Sequence, residues 1–392
     1  GGSWPRTAGS RPAVLGPASR VSMTPRPVLL VVRELGIGGS ERQAAEIARA
    51  LDRDRFSPHV ACFRPGGIRS QELEAAGVPV FTISLNSFRS PSLLRALSVF
   101  RRYVRRHAIE LVHSFDVPAN LFAVPAARIF GVPRVLSSQR AHRDLTPGLF
   151  RHLLRVTDRL AGGIVVNCQA VRRQLIAEDG VPPGRIHICH NGVNTDVFSP
   201  ARRGARPPAL AGAGMVAGIV CALRPEKNIP VLLDAFAAVM GEFPGLRLAI
   251  VGSGPERDRL QAYSASLGLA DRVHFEPATA DVAAWLRAID IFVLPSASEA
   301  LSNSLMEALA CGCCCIASET GGNPELIEHG RTGLLFKTGD SAALAACLRD
   351  AAANAELRTR LAAAGVRRMR DEFSLEASAR RMAEIYDSVL AR

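Results

Sequence analysis

Four turns in this sequence of 392 residues combine glycine with cationic or acidic side chains in ways that suit a phosphate-bearing ligand. Each follows a short apolar run of strand character, and in open parallel sheets ligands bind beyond the carboxyl ends of the strands, where helix N-termini attract anions. The first turn, Gly36-Ile37-Gly38-Gly39-Ser40-Glu41, would let backbone approach a phosphate or sugar closely. It fails as a dinucleotide fingerprint, because Glu41 stands where the third glycine is required, and a merely tight turn is an equal alternative. The second, Leu223-Arg224-Pro225-Glu226-Lys227-Asn228, sets two cations beside a helix start, which suits a diphosphate; a capped, exposed turn is the competing reading. The third, Val251-Gly252-Ser253-Gly254-Pro255-Glu256, puts proline where a helix would begin, and a structural turn competes here too. The fourth runs from Pro295 to Leu309 and is the most informative, with Glu299 on a loop among small residues and Glu307 early in the following helix. Ser304 and Glu307 match a capping box, which would explain the second glutamate structurally, whereas nothing of the kind covers Glu299.

The elements that must position these turns alternate along the whole chain. Strand-like runs fall at 28–33, 59–63, 80–83, 111–113, 134–137 and 163–166, then again at 216–221, 247–251, 273–275, 291–294 and 313–317. Helical spacing separates them, as in Ala44, Ile47, Ala48 and Leu51, or Leu94, Leu97, Phe100 and Val104. The fold class is therefore α/β, with two Rossmann-like parallel-sheet domains facing a central cleft. Periodicity fails at Ser199 to Pro208, which marks a boundary. The expected division is a tail at 1–25, a first domain at 26–198, a linker at 199–214, a second domain at 215–372 and a terminal helix at 373–392.

Composition narrows the class of protein. With 48% hydrophobic and 21% charged residues the chain is too apolar to be disordered, and its apolar runs are too short to span a bilayer. Nine cysteines in a long chain lack the pattern of a secreted disulfide scaffold. A cytoplasmic location is the expectation. The Gly-, Pro- and Arg-rich start lacks an apolar signal core, and Met23 is a candidate start. The formal charge of +12 is almost all arginine, densest at Arg101-Arg102-Tyr103-Val104-Arg105-Arg106 on a helix. That face is read either as solvated or as a contact for an anionic membrane surface, the inner face of the cytoplasmic membrane; no aromatic interleaving supports nucleic acid. Asp52-Arg53-Asp54 imitates a metal motif but lies between a helix and a strand, away from the carboxyl edge, and reads as a surface turn. Cys311-Gly312-Cys313-Cys314-Cys315 has no second ligand cluster and reads as buried thiols.

Two glutamates with seven residues between them, following phosphate-suited turns, resemble the signature of family 4 retaining glycosyltransferases. The resemblance extends from Pro27 to about Tyr386, with Asn191 to Phe198 similar to the interdomain segment and Gly321-Gly322-Asn323-Pro324-Glu325 similar to a later stretch. It implies the GT-B fold, with the last helix crossing back to the N-terminal domain. It implies a nucleotide-sugar donor bound mainly by the second domain and a polysaccharide or lipid-linked glycan acceptor bound mainly by the first. Glu307 would hold the ribose, with Gly252 and Gly254 also at the nucleotide. Glu299, Ala300, Leu301 and Asn303 would reach the donor sugar, and Gly38, Gly39, Arg224 and Lys227 the diphosphate. Glu299 and His113 are the catalytic candidates. Cations and helix N-termini would stabilise the leaving diphosphate, so neither a metal nor a cofactor is implied. The donor is a substrate, with a UDP-sugar favoured.

Departures from the family pattern are visible. Ala222 stands where an arginine is usual before the lysine turn, Phe115 replaces the second histidine of a His-x-His pair, and Ala300 replaces a glycine. Core packing is thus an alternative role for His113. A non-catalytic nucleotide-sugar-binding protein and a nucleotide-sugar epimerase are the competing functions.

Overall fold

The computed structural model describes residues 24–36, 38–143, 146–200 and 206–391. Most of the expected 1–25 tail, Met23, Ile37 of the first turn and Ala201 to Ala205 of the linker lie outside the described residues.

Seven strands form the first sheet: β1 (Arg26–Val32), β2 (Phe56–Cys62), β3 (Val80–Thr82), β4 (Leu111–Ser114), β5 (Arg134–Gln139), β6 (Gly163–Val166) and β7 (Ile186–Ile188). The order is β3-β2-β1-β4-β5-β6-β7, all pairs parallel. Continuous apolar runs such as Val28 to Val32 are what a sheet covered on both faces requires. One face is covered by α1 (Gly39–Ala50), α2 (Ile68–Ala75) and the last helix of the chain, the other by α3 (Ser92–Arg106), α4 (Val117–Ile129) and α5 (Gly148–Leu160), with α6 (Gln169–Asp179) preceding β7.

The second sheet has six strands: β8 (Met215–Val220), β9 (Leu246–Val251), β10 (Val273–Glu276), β11 (Ile291–Leu294), β12 (Cys314–Ser318) and β13 (Leu334–Phe336), in the order β10-β9-β8-β11-β12-β13, again all parallel. Its helices are α7 (Ile229–Val239), α8 (Arg257–Ser266), α9 (Val282–Ala288), α10 (Asn303–Ala310), α11 (Asn323–Leu326), α12 (Ser341–Ala353) and α13 (Ala355–Glu372). Then α14 (Leu375–Leu390) returns to the first sheet, burying Met382, Ile385 and Tyr386 against the β1 and α1 side. Part of the expected linker packs on the second sheet, since Leu210 is buried and Arg206 pairs with Asp290 at 2.8 Å.

Strand order reverses between β1 and β4 in one sheet and between β8 and β11 in the other. Loops diverge at such a switch point and leave a crevice at the carboxyl edge. The Gly36 turn leaves β1, the Arg224 turn leaves β8 and the Glu299 loop leaves β11, so the topology collects three of the four turns at two facing crevices.

Arg143 ties the helical layer to the loop after β5. Its guanidinium is 1% exposed and meets Asp158 of α5 at 2.5 Å and Asp179 of α6 at 2.9 Å, while Arg155 adds a 2.6 Å contact to Asp179. Removing one member of a buried ionic cluster strands the others. Arg143→Leu should therefore lower the free energy of unfolding by about 3 to 5 kcal/mol, measured by urea denaturation. A loss below about 1 kcal/mol would mean that the two aspartates tolerate the change without their cation.

Candidate active site at the interdomain cleft

On the second-domain wall the Glu299 loop ends at Ser302, which caps α10 by accepting from the Leu305 N–H at 3.3 Å. The capping box expected from Ser304 and Glu307 is therefore not formed. The helix begins two residues earlier than that box requires, which releases Glu307 from the cap. Its carboxylate is 4% exposed as a residue and burial raises its pKa, opposed by the Arg42 guanidinium. Oε1 is the atom that pairs with the Arg42 guanidinium.

Glu299 is held by two groups: Lys227 Nζ lies 2.5 Å from Oε1, and the Ser296 hydroxyl donates to the same oxygen at 2.8 Å. Burial works against the Lys227 charge, but Glu299 outweighs it and the pKa rises. Arg224 is different. Its side chain is 63% exposed, only 4.0 Å from Glu226, and apart from the Lys227 and Glu299 pair. The two cations of this turn thus face different surroundings. Gly252 and Gly254 press against the carbonyls of Cys221 and Leu223, so the third turn stacks closely on the second. At Gly321 (φ +54°) a Cβ would collide with the Glu299 carbonyl, so only glycine lets the later stretch support the loop. Ala300 and Leu301 are buried beneath it.

The first-domain wall is built on α1. Gly38 is its N-cap and supplies no side-chain cap, with Glu41 folded back over it. A Cβ on Gly39 would stand 2.9 Å from Asn303 Nδ2, so glycine here allows the two domains to approach. One turn on, Arg42 reaches across the cleft to pair with Glu307 and lies 4.0 Å from Glu46 on its own helix. The connecting segment adds Asn191, which donates to Asn303 Oδ1 at 2.8 Å and accepts from Arg140 Nη1 at 2.5 Å. Arg140 ends up beyond the β5 edge, its guanidinium carbon 5.1 Å from the Phe115 ring centre, and its Nε and Nη2 are out of solvent with no partner among the described residues. His142 bonds the Glu299 carbonyl at 2.9 Å. Farther along, Glu325 accepts from the Gln169 N–H at 2.8 Å and meets His190 at 3.1 Å.

His113 is not at this wall. It pairs in register with Leu30 and Leu136 inside the sheet, is 1% exposed, and both ring nitrogens are occupied, by the Tyr386 hydroxyl at 2.9 Å and the Ser138 hydroxyl at 2.8 Å. Burial, with Arg140 nearby, pushes its pKa well below the usual histidine value. The geometry is that of a core histidine linking β4, β5 and α14, and a catalytic contact is corrected on that ground. Asp52 to Asp54 form an exposed turn between α1 and β2. Cys311, Cys313, Cys314 and Cys315 are buried free thiols, and burial pushes Cys311 and Cys314 up to about 12. Among the described residues no group of three His, Cys, Asp or Glu side chains is placed to hold a metal, and no helix is long and apolar enough to cross a membrane. Arg101, Arg102, Arg105 and Arg106 are exposed on α3.

Comparison with known proteins decides the family. Residues 209–368 match the family described as Glycosyl transferases group 1, and residues 37–197 match Glycosyltransferase Family 4. The D-inositol 3-phosphate glycosyltransferase of Streptomyces scabiei is 33% identical over 305 residues, covering 72% of this chain and 68% of that relative. The chain belongs to the family 4 glycosyltransferases. The protein of the same description from Thermobispora bispora is 33% identical over 250 residues, spanning 60% of this chain and 57% of its own length. Among solved structures, Anabaena Alr3699/HepE in complex with UDP and glucose superposes with a TM-score of 0.80 at 22% identity, covering 93% of this glycosyltransferase and 100% of that chain. A glycosyltransferase from Rickettsia africae gives 0.79 at 21% identity over 94% of this chain and 99% of its own. Two parallel-sheet domains of the GT-B kind are the shared fold.

Sequence reasoning did not single out Arg42, Asn191 as a contact, Arg140 or His142. Arg42 follows the first glycine turn directly, and that position was its only signal. The cleft cluster of this glycosyltransferase sets a pH dependence. Glu46 is raised from 4.5 to about 7 by burial, opposed by Arg42 of α1 and Arg69 of α2, with Glu307 of α10 and Glu72 of α2 adding to the rise. Between these values the folded state holds a proton that the unfolded chain has lost, so stability falls as pH rises through that window. Glu46→Gln should flatten this part of the melting temperature profile and raise stability above it. Superimposable wild-type and variant profiles would assign the slope to another group.

Proposed function

We propose that this enzyme transfers a hexose-type sugar from a nucleoside-diphosphate sugar, with a UDP-sugar favoured, to a hydroxyl of a glycan or lipid-linked acceptor, with retention of anomeric configuration and without a metal. The observation that carries the reading is the contact of α1 with α10 across one cleft, Arg42 on Glu307 and Gly39 under Asn303, with Lys227 paired to Glu299 on the loop leading into α10. In this scheme the Glu307 carboxylate accepts from a ribose hydroxyl, while Gly252 and Gly254 border the nucleotide. Gly38 and Gly39 offer N–H groups to the diphosphate, and Lys227 offsets its growing charge, with Arg224 drawn in from solvent. Glu299, Asn303 and the backbone of Ala300 and Leu301 hold the sugar hydroxyls. The bond from the anomeric carbon to the phosphate oxygen breaks as the acceptor oxygen bonds to the same face. The acceptor proton passes to the departing phosphate, through an oxocarbenium-like state that needs no enzymatic nucleophile. His113 takes no part in contact with substrate. Relatives named D-inositol 3-phosphate glycosyltransferase and a neighbour solved with UDP and glucose support this class of donor and reaction.

One observation favours a finer reading of the acceptor. Arg140 lies beyond β5 with two buried guanidinium nitrogens lacking partners among the described residues, which suits a phosphate on the acceptor.

A thermal-shift screen with uridine, guanosine and adenosine diphosphates and their sugars tests the donor. At a hundredfold excess over the dissociation constant, the matching ligand should stabilise the wild type by about 2.7 kcal/mol. Glu307→Ala should lose that stabilisation. If no nucleotide stabilises the wild type, the donor reading fails. Glu299→Gln should keep nucleotide stabilisation but reduce transfer by about a hundredfold or more, because it removes a contact made to the reacting sugar. Stabilisation without transfer by the wild type would instead favour a non-catalytic binding protein. For the acceptor, Arg140→Met should raise the KM of a phosphorylated acceptor and leave donor stabilisation unchanged. An equal effect on an unphosphorylated acceptor would remove the phosphate from the reading.

A further inference from the structure

Ten large apolar side chains are exposed among the described residues, and seven of them lie on α3, α4 and α5, the outer layer of one face of the first sheet. Five are on α5 alone: Leu149, Phe150, Leu153, Val156 and Leu160, between 39% and 64% exposed. This helix already has a complete inner side, where Leu154 and Thr157 are buried and Asp158 is locked to Arg143. The outer apolar stripe therefore has no part in the core. It recurs at helical spacing over the full length of α5, and isolated exposed apolar residues would not align in that way.

The surroundings define what such a stripe meets. At the end of α4, Arg128 Nε donates to the Leu160 carbonyl at 2.7 Å, which brings Ile129, 72% exposed, beside the end of the stripe. Arg159 is exposed on α5, and α3 carries Arg101, Arg102, Arg105 and Arg106, exposed and without an ion pair among the described residues. The sequences of α3, α4 and α5 contain one acid, Asp158, and it is buried. The opposite face is different, with Glu72 and Glu74 on α2 and Glu376, Glu384 and Asp387 on α14. Apolar side chains rimmed by cations, on three helices whose single acid is buried, complement a surface that is oily within and anionic without.

We propose that the outer face of α5 docks this protein onto an anionic lipid bilayer, with the arginines of α3 on the headgroups. A helix of 13 residues is about 20 Å long, too short to span a bilayer but enough to lie in its interface with one face sunk into the acyl boundary. The loop from β5 into α5 carries His142, which bonds the Glu299 carbonyl, so docking through α5 sets the cleft mouth at the membrane. That orientation toward a lipid-linked acceptor rests on the proposed transfer reaction; bilayer binding by itself does not.

Cosedimentation of the full chain with vesicles of equimolar phosphatidylcholine and phosphatidylglycerol, and with pure phosphatidylcholine vesicles, tests the proposal. The wild type should bind the anionic vesicles preferentially. Phe150→Gln combined with Leu153→Gln should lower the partition coefficient about tenfold or more at any salt concentration, because apolar area no longer leaves water. Arg101→Gln combined with Arg105→Gln should weaken binding mainly at low salt. A Phe150→Trp variant should shift its emission to the blue on vesicles. These side chains are exposed, so melting temperature and transfer to a water-soluble acceptor should be unchanged in every variant. Vesicle binding equal in the wild type and the Gln pair, or absent in the wild type, overturns the proposal. If vesicles are ignored while the wild type sediments as a dimer that the Gln pair dissociates, the face belongs to a second copy and the proposal fails in that way. The vesicle assay uses no donor, so its failure leaves the transfer reading intact, and absence of nucleotide stabilisation leaves vesicle binding intact.

Discussion

A carboxylate taken out of water needs a cation, and Glu307 meets one that belongs to the other domain. Its position in the middle of α10 removes it from solvent, and burial disfavours its charge until Arg42 of α1 faces it. Two sheets that share no strand are joined through this pair at the crevice where each has its switch point. Arg42 has a second carboxylate, Glu46, at its own helix, and Arg69 of α2 adds a further cation to both. The cleft therefore gathers two buried carboxylates around Arg42, and a ligand hydroxyl entering it would meet acceptors.

Closure of the joint is possible because small residues stand where backbones meet. Asn303 approaches α1 over Gly39, and Gly321 lets the Glu299 loop rest on the stretch before α11. Around them the polar contacts are specific: Asn191 spans Arg140 and Asn303, while His142 supports the Glu299 carbonyl. Buried polar groups without partners are costly, so such a chain of contacts fixes the approach of the two domains closely. The same loop after β5 leads into α5, whose inner side is anchored by Arg143 and whose outer side is apolar. The first-domain wall of the cleft and the exposed stripe are thus neighbours along the chain.

Sequence pattern carried most of the architecture. Continuous apolar runs and helical spacing were enough to place eleven of the strands and the order of the layers. The strands they missed, β7 and β13, have three residues each, as does β3, which was found because its run continues to Ile83. Glu299 stood out in the sequence because no local rule explained it. Glu307 was obscured by a local rule, the capping box, which the fold does not use because Ser302 caps α10 first. His113 was a catalytic candidate only by resemblance to a His-x-His pair, with a core role as the alternative, and its register beside Leu30 sets it within the sheet, where Tyr386 of the last helix reaches it.

By itself, the sequence determined the alternation of elements, the turns at the carboxyl edges and the residue types that suit a diphosphate and a sugar. These are local properties, readable within a window of a few residues. Tertiary structure alone decided which side chains meet: Arg42 with Glu307, Lys227 with Glu299, Asn191 with Asn303, and Arg224 left in solvent. Those partners are separated by tens to hundreds of residues, and their contact depends on how two sheets pack across a cleft. No spacing rule along one strand or helix encodes that distance.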